Sequence, residues 1–111
     1  MQVEWIMLAD SAEVVNNKLY MLGGGWDHLV LKRQFPTRYT LALALAIRVD
    51  SGDATSQPRL LLRIEDEEGT QLAKVNTRID AERLSAGGTR SRRVQLAFKM
   101  PLRFAHEGHY Y

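Results

Sequence analysis

Two stretches of the chain repeat their apolar positions every second residue. From Tyr39 to Val49, Tyr39, Leu41, Leu43, Leu45, Ile47 and Val49 fall on one side, with Thr40, Ala42, Ala44, Ala46 and Arg48 on the other. Leucine and alanine favour helix intrinsically, but tertiary context overrides propensity, and a period of two marks a strand. From Arg93 to Met100, Val94, Leu96, Phe98 and Met100 alternate with Arg93, Gln95, Ala97 and Lys99, the pattern of a half-buried strand.

Shorter segments fall in around these two. Gln2 to Ala9 and Glu13 to Val15 lead into Asn16-Asn17, a pair tolerant of positive φ, followed by Lys18 to Leu22; together they predict a tight hairpin. Arg59 to Glu65 and Gln71 to Ile79 flank Asp66-Glu67-Glu68-Gly69, where glycine supplies the left-handed position of a second hairpin. Polar connections run from Asp50 to Pro58 and from Asp80 to Thr89; in the second, Asp80 is placed to cap one helical turn that Gly87 ends. No internal repeat or low-complexity tract interrupts the pattern.

The end of the chain adds a further expectation. Leu102 and then Glu107-Gly108-His109-Tyr110 resembles the corner where an immunoglobulin-like sandwich enters its penultimate strand: a glycine turn, then a tyrosine whose hydroxyl bonds back to the backbone. The whole pattern predicts an all-β, antiparallel two-sheet sandwich, immunoglobulin-like, of about six to seven strands in a single domain. If Tyr110 opens that strand, Tyr111 is its second residue, and further chain or another copy must supply what completes the sandwich. The expectation is then an oligomer joined through the edge beside Val94, Leu96, Phe98 and Met100, or poor solubility alone.

Composition narrows the class without naming a function. An apolar fraction of 45% and a charged fraction of 25% in 111 residues are those of an ordinary one-domain globular protein. The longest aliphatic run, Leu41 to Ile47, is far short of the roughly 20 residues that cross a bilayer, so no membrane partner is expected. Met1-Gln2-Val3-Glu4-Trp5 carries an acid and no basic leader, which gives a cytoplasmic expectation. The absence of cysteine excludes disulfides and thiolate chemistry. Fifteen cations against 13 anions is near balance and argues only weakly for nucleic acid. The local clusters are Arg90, Arg92 and Arg93, then Lys32-Arg33, and the acidic run Glu65-Asp66-Glu67-Glu68.

Leu8-Ala9-Asp10, Ala12-Glu13-Val14, Lys18-Leu19-Tyr20 and Gly23-Gly24-Gly25-Trp26 together resemble a family of small bacterial proteins described only as a domain of unknown function. The resemblance covers roughly the first 30 residues. It implies a bacterial, cytoplasmic β-sandwich and transfers no activity, cofactor or catalytic residue.

Candidate chemistry is sparse. Gly23-Gly24-Gly25 lacks the following Lys-Ser/Thr and the helix start that a phosphate loop needs, so it reads as a bulge that lets Trp26 swing into the core. His106 and His109 could reach one metal from a turn, with Glu107 or Asp27 as third ligand, but they lack the helical spacing of the zinc-protease motif. No nucleophile sits at a strained turn: Ser11, Ser51, Ser56, Ser85 and Ser91 are placed in polar turns, and His28 follows Trp26-Asp27 within a strand. Asp10, Glu13 and Asp27 would gather as carboxylates if the first two strands pair. Arg90, Arg92 and Arg93, with Trp26 or Tyr39 as a stacking platform, give a weak nucleic-acid reading.

The small side of the Tyr39–Val49 strand says more. A strand with one side in the core normally carries Thr, Lys, Glu or Arg outside, yet here the outward set is Ala42, Ala44 and Ala46, which Ala97 would widen. Either the same chain covers this strip or a partner does. The leading expectation is a non-catalytic protein-binding or scaffolding module, without cofactor. It docks a protein partner or a second copy through the alanine strip or an open sheet edge.

Overall fold

Asn16 and Asn17, with φ of 51° and 63°, form the two-residue turn whose twist suits a hairpin, and everything before Trp26 is built on it. The computed structural model describes residues 1–31, 34–50, 59–79 and 92–111. Six strands follow in order: β1 (Gln2–Val15), β2 (Lys18–Trp26), β3 (Thr37–Val49), β4 (Arg59–Glu65), β5 (Gln71–Arg78) and β6 (Arg92–Phe104). They form a four-stranded sheet in the order β2-β1-β3-β6 and a two-stranded sheet β4-β5, and every pairing is antiparallel. The described residues contain no helix. Asp80 and its expected helical turn, and the 50–58 connection beyond Asp50, lie outside the described residues.

The strands run further than the periodicity suggested. β1 is continuous through Ser11, which therefore lies in a strand and not in a turn. β2 passes through the glycines to Trp26, whereas His28 falls outside any strand. The register of β1 on β2 shifts between Leu8 and Ala9, the bulge expected at the glycine run, and Trp26 packs against the core. The extra residue of the bulge is Gly25, at φ 87°; two residues earlier Gly23 sits at φ 59°, and a Cβ there would overlap the Asp10 carboxylate, so that position requires glycine on two counts. β6 continues past Met100 through Pro101 to Phe104; its far side has no partner strand among the described residues, which is where a proline is tolerated.

Register explains the core. Residues directly opposite in an antiparallel pair share a face. Leu41, Leu43, Leu45 and Ile47 pair with Met100, Phe98, Leu96 and Val94, and Val49 continues the same row. Against this face the β4–β5 hairpin lays Leu60, Leu62 and Ile64 from one strand and Ala73 and Val75 from the other. This is the two-layer arrangement anticipated for the alternating segments.

The alanine side is the main correction. Ala42, Ala44 and Ala46 are 4%, 0% and 0% exposed, so the strip is covered within this chain, while Ala97 is half-buried. Ala9 is fully buried beside them in β1. β1 and β2 both approach β6 across β3, an approach that small side chains between them permit. Glu4 is the extra residue of a second bulge, between Val3 and Trp5. Its carboxylate accepts hydrogen bonds from Arg48 at 3.1 Å and from Arg93 at 2.8 and 3.0 Å, joining β1, β3 and β6. The molecule is elongated, 52 Å long against 28 and 17 Å, with a radius of gyration of 15.9 Å.

Candidate functional site

An open cleft of about 1180 Å³ lies at one end of the sheets. Its floor is the end of the core: Leu8 of β1, Leu41 and Leu43 of β3, Leu102 and Phe104 of β6. One wall is the segment after β2, carrying Trp26, Leu29, Val30, Leu31 and Phe35. The opposite wall is the β4 edge at Arg63 and Ile64, together with the C-terminal residues. Alternation makes the floor: a strand with its leucines on one side presents them in a row wherever the facing layer stops short. The rim is polar, with Asp27, His28, Glu67, His106, Glu107 and His109.

The Trp26 indole N–H is buried and has no acceptor among the described residues. A buried donor without a partner costs about 1–3 kcal/mol, an expense native proteins seldom leave in place. Trp26 itself stands in the wall of the cleft.

The C-terminal segment is stapled to the β4–β5 turn. Asp66, 9% exposed, accepts hydrogen bonds from the Glu68 and Thr70 backbone N–H groups at 2.9 and 2.8 Å, which fixes the turn. Glu67 accepts the His109 backbone N–H at 2.8 Å. The Tyr110 hydroxyl donates to the His106 carbonyl, and its ring meets Phe104 edge-on at 5.0 Å. The hydroxyl thus bonds back to the backbone four residues upstream. Burial pushes the Tyr110 phenol above its ordinary value, with the negative charges of Asp66 and Glu67 adding to the rise.

Tyr110 and Tyr111 do not run beside β6. Tyr110 bridges to Asp66, and Tyr111 exchanges both backbone hydrogen bonds with Glu65, at 2.8 and 2.9 Å. They lie antiparallel along the outer edge of the hairpin, as the first pair of a third strand. Successive residues of a strand point their backbone groups to opposite sides, so Glu65 outward implies Arg63, Leu61 and Arg59 outward as well. No described residue pairs with those three on that side.

The face of the hairpin turned away from the core is basic. Arg59 lies directly opposite Arg78, and Arg63 directly opposite Lys74, with Leu61 opposite Asn76 between them. Like charges in direct opposition are destabilising. In the large sheet the same situation, Arg48 opposite Arg93, is bridged by Glu4. On the hairpin, Glu65 at 3.7 Å from Arg63 is the one carboxylate within ion-pair distance among the described residues.

The residues singled out from sequence are dispersed. Arg90 and the Arg92 side chain lie outside the described residues, as do Lys32, Arg33, Ser51, Ser56, Ser85 and Ser91; Arg93 is engaged by Glu4. His106 stands 3.8 Å from Asp66, and its other ring nitrogen contacts the Glu107 carbonyl, while His109 is exposed. Among the described residues no three His, Cys, Asp or Glu side chains are grouped to hold a metal ion. Gly108, Tyr110 and Trp26 do come to the cleft, though for reasons the sequence did not give. What sequence reasoning missed is the cationic hairpin face and the stretch of β4 edge, Arg59 to Arg63, that pairs with no described residue.

No described helix is long and apolar enough to cross a membrane. Residues 4–111 match one family model, described as a family of unknown function (DUF6941). Neither the curated proteins nor the solved structures yield a match.

Proposed function

The chain belongs to the DUF6941 family, and from that premise we propose that it is a non-catalytic protein-binding module taking an extended segment of a partner into the cleft and along an open sheet edge. The single observation that carries this reading is the apolar cleft bordered by a strand edge that has no partner among the described residues. A peptide in extended form has the two things such a place lacks: side chains for the floor and backbone groups for the edge. The alanine strip, being covered, drops out as the docking surface, and the edge proposed is that of β4 in place of the β6 edge expected beside Val94, Leu96, Phe98 and Met100. The setting proposed with this role is the bacterial cytoplasm.

Selection from a displayed random-peptide library tests the reading. Enriched sequences should alternate apolar and polar residues, and should lose binding to variants carrying Val30→Glu or Phe35→Glu, two exposed cleft residues. No enrichment over bare support, or binders indifferent to both substitutions, would remove the proposal.

A further inference from the structure

We propose that the occupant of the β4 edge is an acidic extended segment of a partner protein, added as a third strand to the β4–β5 sheet in line with Tyr111. The inference rests on the peptide-binding reading above and specifies where the peptide lies and what it is made of.

Three observations lead there. First, Tyr111 and Glu65 already exchange a full pair of strand hydrogen bonds, so the edge has the geometry to accept a partner strand. Beyond that pair, Arg63, Leu61 and Arg59 offer three more sets of outward N–H and C=O groups. Second, the side chains of a strand laid there would alternate between two environments. Those on the inner face join the row Leu60, Leu62 and Ile64, of which Ile64 lines the cleft, and those on the outer face stand beside Arg59, Leu61 and Arg63. Third, the outer face carries Arg59, Arg63, Lys74 and Arg78, two like-charged pairs for which Glu65 is the one carboxylate within ion-pair distance among the described residues. An aspartate or glutamate at alternate positions of the added strand supplies the missing charge. The ligand is therefore a peptide of alternating apolar and acidic residues.

β4 is seven residues long, which sets the probe. A fluorescent peptide of that length alternating valine and glutamate is titrated with the protein in an anisotropy assay. Two companion peptides carry lysine in place of glutamate, or N-methyl groups on alternate backbone nitrogens. Each nitrogen set is tried in turn, so that one of the two loses its bonds to β4 with all charges kept. The glutamate peptide should bind, weaken as salt rises, and lose about tenfold in affinity in one N-methyl pattern, while the lysine peptide binds no better than background.

On the protein side, Leu61→Pro removes one outward donor and leaves the β4–β5 bonds intact, and Asn76→Pro does the same on the opposite edge of β5. Leu61→Pro should cost about tenfold and Asn76→Pro should cost nothing measurable. The double variant Arg59→Glu, Arg63→Glu, both surface changes, should abolish binding of the glutamate peptide. Binding indifferent to N-methylation and to Leu61→Pro would overturn the inference, as would equal binding of the lysine peptide. A free protein that is already a dimer and dissociates on Leu61→Pro would overturn it too, by assigning the edge to a second copy. Library peptides that bind through Val30 and Phe35 yet ignore Leu61→Pro would sink this placement and leave the binding-module reading standing; a protein that binds no peptide would end both.

Discussion

Gly23 shows how much one residue can hold. The left-handed backbone costs a side-chain-bearing residue about 1–2 kcal/mol by itself. A Cβ would in addition meet the Asp10 carboxylate. Gly23→Ala should lower stability by about 2 kcal/mol in urea unfolding, with part of the loss recovered in the double variant with Asp10→Ala. Equal losses with and without Asp10 would show that the carboxylate plays no part. Glu4 works through charge. The hydrogen bond from Arg93, with Arg48 beside it, holds its carboxyl below the ordinary value of 4.5. The unfolded chain then takes up this proton more readily than the folded one. The stabilisation is complete above the unfolded value and is lost as pH falls through the folded one. Urea midpoints followed down from neutral pH should show this acid-side decline, and Glu4→Gln should be less stable at neutral pH with a flatter decline. An identical acid limb in the variant would assign the dependence to other carboxylates.

Among elements, β3 was the most legible in sequence and also the most misleading. Its period of two gave the strand and the leucine core face correctly. Periodicity cannot say, however, whether a small residue faces solvent or a close neighbour, and Ala42, Ala44 and Ala46 proved buried. Ala44→Leu should therefore destabilise by about 1–3 kcal/mol through overpacking, with no change in oligomeric state. Unchanged stability would mean that the strip is open after all. The hairpin was legible as a hairpin, from Asp66 to Gly69 between two apolar runs. Its pairing was not, because the register shifts by one residue between Ile64 and Glu65. A one-residue slip moves every side chain to the other face, so Arg59–Arg78 and Arg63–Lys74 could not be paired by counting outward from the turn. Relieving one of these pairs should help the fold: Arg78→Glu is expected to raise stability by about 0.2–1 kcal/mol while weakening the glutamate peptide. A variant that loses stability would show the cations to be structurally compensated. Trading stability for function in this way is common at binding sites.

At the scale of the molecule, the class of fold was readable and the cleft was not. The first comes from local alternation and turn chemistry, each confined to a dozen residues. The second is assembled from the ends of β1, β3 and β6, the segment after Trp26, the β4 edge and the C-terminal tyrosines, which no single stretch of sequence brings together. The long, thin outline has its own consequence for how the protein behaves in solution. A compact chain of this length would have a radius of gyration of about 13 Å, against the 15.9 Å found here. Elongated bodies drag more water and tumble more slowly than spheres of equal mass. A single copy should therefore elute from a sizing column ahead of its 12.6 kDa and sediment with a raised frictional ratio, imitating a dimer. Light scattering, which weighs a particle without regard to its drag, should return the mass of one chain at the same elution volume. A scattering mass of twice that value would mean that the early elution reports true association and not shape.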